Sequence, residues 1–264
     1  MNRYASLALA LCAVTAAACG DQTVQNITGP VTGAAVKFVN VSVGSPGVNF
    51  FAGTSKVTAI SSTSCQPPND TTSTCRTNGV ESTTGTGFAA LGNGGLYNSV
   101  TPGTVTLAGK IAAATDNGLD IGDVSAQLVD GKFYSFYLSG VYNTTTKKAD
   151  AFVIEDPVPP APDTLTYVRL VNAIAGSQPM ALTIQNTTTN ATSVPNTGVA
   201  YKAAGAFTAV PAGVYNLTGN STGAVPVASN ISLVAGHVYT VVARGDPSST
   251  VTANKPAFIV FANR

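Results

Sequence analysis

The chain has 264 residues, with 13 Lys and Arg against 12 Asp and Glu, and charged residues make up only 9% of it. A near-neutral chain without runs of one charge gives no electrostatic footprint for nucleic acid and no polybasic patch for a membrane surface. The 44% hydrophobic content excludes a disordered chain, and the length allows two domains of about 100 residues each.

Met1-Asn2-Arg3 precedes an apolar run from Ala5 to Ala18, followed by Cys19-Gly20. A positive start, a short apolar stretch and small residues before a cut describe an export signal over residues 1–18. The run is too short to span a bilayer as a mature helix. Ala16-Ala17-Ala18-Cys19 resembles a bacterial lipobox. That resemblance implies lipid modification of Cys19 and a membrane partner reached through the acyl chains. The competing reading is an ordinary signal peptide cut near Ala18. Gly20, rather than Asp, after the cysteine permits outer-membrane sorting by analogy with enteric lipoproteins, and otherwise a periplasm-facing anchor. Loss of residues 1–18 removes one basic residue, Arg3, and leaves 12 basic against 12 acidic groups (13 minus 1).

Residues 19–34 are small and polar and read as a flexible tether. Beyond Cys12 in the signal and Cys19 at the anchor, Cys65 and Cys75 remain. They flank the turn-rich Gln66-Pro67-Pro68-Asn69-Asp70. In an oxidising compartment the expectation is a disulfide closing this short loop, contributing about 2–3 kcal/mol. A metal site needs further soft ligands, and the single histidine, His237, lies in the other half.

Residues 156–163 are proline-rich and read as a semi-rigid extended linker between residues 35–155 and 164–264. The two sides match. Val36-Lys37-Phe38-Val39-Asn40 aligns with Val168-Arg169-Leu170-Val171-Asn172, each followed by Gly-Ser (Gly44-Ser45, Gly176-Ser177). Val100-Thr101-Pro102-Gly103 aligns with Val210-Pro211-Ala212-Gly213, and Leu128 to Tyr134 with Leu233 to Tyr239. Ala151-Phe152-Val153-Ile154 is set against Ala257-Phe258-Ile259-Val260. Tyr134, Phe136 and Leu138 alternate with Phe133, Ser135 and Tyr137, a period of two, and Tyr239, Val241 and Ala243 hold the corresponding face. No stretch sustains a helical period with caps. The expected fold is all-β: two tandem immunoglobulin-like β-sandwiches.

These blocks resemble the domain-of-unknown-function 4397 family, with Leu233 to Ala243 as the nearest match and Asn49 where that family often has Asp. The resemblance covers both repeats. It implies a β-sandwich envelope domain and brings no activity or catalytic residues.

Gly219-Asn220-Ser221-Thr222-Gly223 fits the G-x-S-x-G pattern, but a nucleophile elbow requires a strand–turn–helix, and Val225-Pro226 opens no helix. His237 occupies the turn position of Lys132 in the first repeat and reads as a turn residue. Asp116, Asp120 and Asp123 are the one acidic cluster, and could offer oxygen ligands to Ca²⁺. Their spacing does not match the EF-hand, and a solvated turn is the rival reading. No cofactor motif is present. Tyr97, Tyr137, Tyr142 and Tyr201 offer aromatic surface or half-buried strand positions. The expectation is therefore a non-enzymatic, lipid-anchored envelope protein with a structural or adhesive role toward a surface protein or glycan, with no nucleic-acid partner. The alternative is a small-ligand or glycan-binding module assisted by Ca²⁺.

Overall fold

Apart from two short 3-10 turns at Gly92–Gly95 and Thr252–Asn254, every regular element among the described residues is a strand. The computed structural model describes residues 33–58, 62–64, 76–78, 84–160, 164–221 and 227–263. Cys19, Cys65 and Cys75 lie outside the described residues. The first repeat contains β1 (Ala34–Asn40), β2 (Val48–Ala52), β3 (Ser55–Lys56), β4 (Ser62–Ser64), β5 (Arg76–Asn78), β6 (Ala90–Leu91), β7 (Asn98–Val100), β8 (Gly103–Ile111), β9 (Asp120–Leu128), β10 (Phe133–Asn143) and β11 (Lys148–Glu155). The second contains β12 (Leu165–Asn172), β13 (Met180–Asn186), β14 (Thr192–Val199), β15 (Ala203–Ala204), β16 (Thr208–Pro211), β17 (Gly213–Ser221), β18 (Val227–Leu233), β19 (Val238–Arg244) and β20 (Ala257–Ala262).

The topology repeats. One sheet of the first repeat runs β11-β10-β1-β6, with β7 also on β1, and the other runs β3-β2-β8-β9. The second repeat gives β20-β19-β12-β15, with β16 also on β12, and β14-β13-β17-β18. In each, the first strand pairs in parallel with the penultimate one, Val36 opposite Tyr134 and Val168 opposite Tyr239. Among the described strands only β4 and β5, which pair with each other, lack a counterpart.

Strand alternation builds the two sandwich cores. Val36 and Phe38 of β1 and Tyr134, Phe136 and Leu138 of β10 face Phe50, Leu107 and Ile121 of the opposing sheet. The rings of Phe38, Phe50 and Phe136 lie 5.2 to 5.9 Å apart. Val168, Leu170, Val241 and Ala243 face Leu182, Ile184 and Leu217 in the second.

The recurring motifs have backbone tasks. Asn40 and Asn172 are fully buried at the ends of β1 and β12. Each accepts the N–H of the residue two positions on, at 3.1 Å, and bonds the serine of the Gly-Ser pair. Each amide also donates across the loop, to the Thr86 and Val199 carbonyls. The Tyr134 and Tyr239 hydroxyls accept the N–H of Val129 and Val234, tying each strand to its preceding turn. Gly131 and Gly236 hold positive φ (72° and 76°) in those turns, where a side chain is strained.

Two sequence expectations need correction. Asp156, which opens the connection between β11 and β12, is no free spacer: it is 2% exposed and bonded to Ser135 of β10 and Arg169 of β12. The last repeat block is also shifted by one residue. The ladders place Phe152 opposite Tyr137 and Ile259 opposite Val242, so Phe152 corresponds to Ile259, not Phe258. A one-residue slip reverses every face of a strand. Phe258 accordingly points into the second sandwich core, whereas Phe152 points away from the first.

Candidate functional site

In β1 every residue is buried, and in β10 every residue from Tyr134 to Gly140, including those pointing away from the sandwich core. Their second face packs against the same face of β12, β19 and β20. Val39, Val41, Tyr137 and Phe152 meet Val171, Ala173 and Val242, flanked by Leu91, Ile154, Ala204, Ile259 and Phe261. With the corrected register, each residue of this seam has its repeat counterpart in the same cluster. Val39 matches Val171, Val41 matches Ala173, Tyr137 matches Val242, and Phe152 matches Ile259. A face that packs on its own copy about a two-fold axis is the arrangement of a symmetric dimer, here within one chain. Thr32–Arg264 forms one compact unit.

The polar contacts obey the same symmetry. Lys37 Nζ donates to the Ala262 carbonyl at 2.8 Å, and Arg169 donates to the Glu155 carbonyl at 3.4 Å, the corresponding position on β11. Lys37 lies over the Tyr97 ring at 4.5 Å, and Arg169 over Phe207 at 4.3 Å. Ser139 bonds Tyr201 at 3.1 Å, while Arg244 covers the Phe88 ring at 4.8 Å.

Symmetry breaks where charge is concerned. Asp156 corresponds to Asn263, and Tyr97 to Phe207. The result is one carboxylate between two cations, with Lys37 and Arg169 each only 1% exposed. The side chains close a ring. Arg169 Nε donates to Thr240 Oγ1 at 3.1 Å, and that hydroxyl donates to Asn263 Oδ1 at 2.6 Å. Asn263 Nδ2 donates to the Tyr97 hydroxyl at 2.7 Å, which donates to Asp156 Oδ2 at 2.8 Å. Ser135 also donates to Oδ2, at 2.6 Å, and the Arg169 guanidinium closes the ring on Oδ1. Arg169 donates in both directions and Asp156 accepts from both sides, while Thr240, Asn263 and Tyr97 each accept from one neighbour and donate to the next, so the ring draws on residues of both sandwiches.

Burial disfavours charge on Lys37 and lowers its pKa from 10.5 to about 8, with Asp156 opposing that fall and Arg169 adding to it. Burial and the Asp156 carboxylate push the Tyr97 phenol up, so it remains a donor. Burial raises Tyr137 likewise, and burial with the hydrogen bond to Asp150 raises Tyr201.

The structure does not bring the acidic cluster together. Asp116 lies 3.2 Å from Lys147 and Asp120 lies 3.4 Å from Lys148. Asp123 is exposed on β9. No three His, Cys, Asp or Glu gather as a metal site among the described residues. The β10–β11 turn carries lysines to these carboxylates, a contact that the local sequence does not announce. His237 sits in the β18–β19 turn, its carbonyl accepting from Tyr167 N–H and Thr166, its ring beside Tyr239. Ser221 ends β17 in register with Met180, within a strand. Of the tyrosines, Tyr97, Tyr137 and Tyr201 all belong to the seam. Lys37 and Arg169 escaped sequence reasoning as site residues, although a basic residue at one strand position of both repeats was the available signal.

The fold and seam define a class: a tandem β-sandwich protein whose repeats pair about an internal two-fold axis. No family model and no curated protein matches the chain. Among solved structures, similarity extends to the Bacillus anthracis TIE protein, at 11% identity and TM-score 0.24 over 82% of this chain and 34% of that one. It extends also to a leucine-rich repeat protein from Bacteroides thetaiotaomicron, at 13% identity and TM-score 0.22 over 84% and 27%. A protein named for cell adhesion from Bacteroides eggerthii matches at 10% identity and TM-score 0.22 over 89% and 97%. The chain thus spans about a third of the first and about a quarter of the second.

Proposed function

We propose that the chain is a non-enzymatic cell-envelope lipoprotein, exported, anchored through Cys19, and acting in a structural or adhesive role through its two sandwiches. The observation that supports this reading is the seam. The residues whose titration the fold shifts furthest, Lys37, Tyr97, Tyr137 and Tyr201, all lie in it. A pair joined this way presents its two sets of loops at a fixed separation, so two weak contacts to one surface add without the loss that a slack linker imposes. The segment between Cys19 and β1, which opens at Ala34 rather than after it, then sets the distance from the membrane.

The test has two arms. Metabolic labelling with an alkyne fatty acid marks the wild type, and Cys19→Ala removes both the label and the membrane association. Cells carrying the anchored protein adhere to host or neighbour-cell surfaces, or hold their envelope, better than cells carrying Cys19→Ala. A labelled Cys19→Ala protein refutes the anchor, and unchanged adhesion and envelope integrity in a deletion strain refute the role.

A groove in the first sandwich favours glycan binding as a second reading. It has a volume of about 560 Å³, and Thr54, Ser55, Ser99, Thr101, Thr104 and Thr106 line it beside apolar residues such as Val57 and Val105. Retention on a glycan array that Thr104→Val with Thr106→Val abolishes supports this reading, and sensitivity to chelator reports on assistance by Ca²⁺.

A further inference from the structure

We propose that the seam between the sandwiches is a proton-sensitive latch, in which the charge on Lys37 loosens the pairing and Asp156 is the anion that holds it closed. Lys37 stands on β1 with its ammonium group at the heart of the seam, over Tyr97 and over Phe261 of the opposite repeat at 4.8 Å, donating to the Ala262 carbonyl. The titratable and charged groups facing it come from each packed element. They are Tyr97 ahead of β7, Asp156 after β11 and Arg169 on β12, with the neutral Asn263 after β20 bonded to Tyr97; Tyr137 on β10 faces Arg169 and Asp156. Asp156 is already bound by Arg169, Tyr97 and Ser135. In the position symmetry assigns to a carboxylate for Lys37, the chain has Asn263. Lys37 is therefore the cation that the seam leaves without its own counter-ion.

When the seam opens, Lys37 returns to water and to its ordinary proton affinity; when it closes, part of that affinity is lost. Closure at neutral pH must hold a desolvated ammonium, whereas closure above the lowered value releases one proton to solvent and leaves a neutral amine against the Ala262 carbonyl. With 10.5 for the open state and about 8 for the closed one, linkage makes the opening constant fall roughly tenfold between pH 7 and pH 9. Tyr97 and Tyr137 stay protonated throughout this window, since burial moves both upward.

Thiol labelling together with millisecond-pulse amide hydrogen exchange on the full chain tests the latch. Exchange rates are corrected for the chemical exchange rate at each pH, and the seam strands β1 and β12 are compared with β8 and β17 of the outer sheets. Because the β1 and β12 amides are bonded within their own sheets, thiol labelling of a seam position, Ala173→Cys, is measured against a core position, Ala243→Cys, each rate corrected for thiolate fraction at each pH. The expected result is a fall of roughly tenfold in labelling at the seam position from pH 7 to pH 9, with the core position and the amides of every sheet unchanged. Lys37→Arg, always charged, loses the response and stays at the fast level. Lys37→Met, never charged, loses it and stays at the slow level. Seam labelling with no pH response when Lys37 is present, or Lys37 variants that retain that response, overturns the proposal, as does labelling in which the seam and core positions always move together.

Discussion

Replacing Asp156 with Asn keeps the shape of the side chain and removes the anion of the seam. Asp156 is 2% exposed and receives Ser135 and Tyr97 on one oxygen and Arg169 on the other. An amide cannot serve both sides. If its oxygen faces the hydroxyls, its N–H₂ confronts the guanidinium; if turned, it leaves Ser135 and Tyr97 without an acceptor. Breaking one partner of a buried, hydrogen-bonded ion pair costs about 3–5 kcal/mol, which for a unit of this size is a fall in Tm of roughly 6–20 °C. Urea denaturation followed by circular dichroism measures the loss. A double variant, Asp156→Asn with Arg169→Met, recovers most of it, because the stranded charge is then gone and an apolar side chain fills its place. A single-variant loss below about 1 kcal/mol, or a double variant no better than the single, refutes the assignment of Asp156 as the anion of the seam.

Lys37 also sets a pH dependence of overall stability. Its lowered value means that the unfolded chain takes up the proton first, so stability rises with pH between about 8 and 10.5 and is flat below. Melting curves of wild type minus Lys37→Met isolate this slope. Above pH 10 the sign reverses for Tyr97, Tyr137 and Tyr201, whose raised values make their stability fully present below 10 and lost beyond it. Of the 9 tyrosines, these should ionise only on unfolding, as followed by phenolate absorbance. Asn172→Ala strands the Ile174 N–H and the Val199 carbonyl and should cost about 2–4 kcal/mol by urea denaturation. Gly122→Ala places a Cβ 2.5 Å from Leu138 Cδ1 and 3.3 Å from the Ala149 carbonyl, and should cost about 1–3 kcal/mol in the same assay. His237→Ala, in an exposed turn, should leave stability within about 0.5 kcal/mol.

The alternation of Tyr134, Phe136 and Leu138 and the recurrence of four blocks were enough to specify strands, two sandwiches and a duplicated topology. Side-chain period and turn chemistry are local, and they act before any long-range contact forms. The buried asparagines and turn tyrosines of the motifs were visible as letters for the same reason. The face opposite each core was another matter. Lys37, Ser135 and Tyr137, or Arg169 and Thr240, carry no mark that separates a buried face from the solvated side of an ordinary antiparallel sheet, because polar residues on one face normally meet water.

Only the tertiary structure shows that this side meets its own copy. A one-residue slip in the β20 alignment was enough to hide the symmetry, since it exchanged Phe258 for Ile259 and so the core for the seam. The sequence by itself determined the unit and its duplication. Which faces pair, and that Asp156 lies between two cations from different halves of the chain, was decided by contacts between residues such as Lys37 and Ala262, separated by 225 positions, which no local pattern encodes.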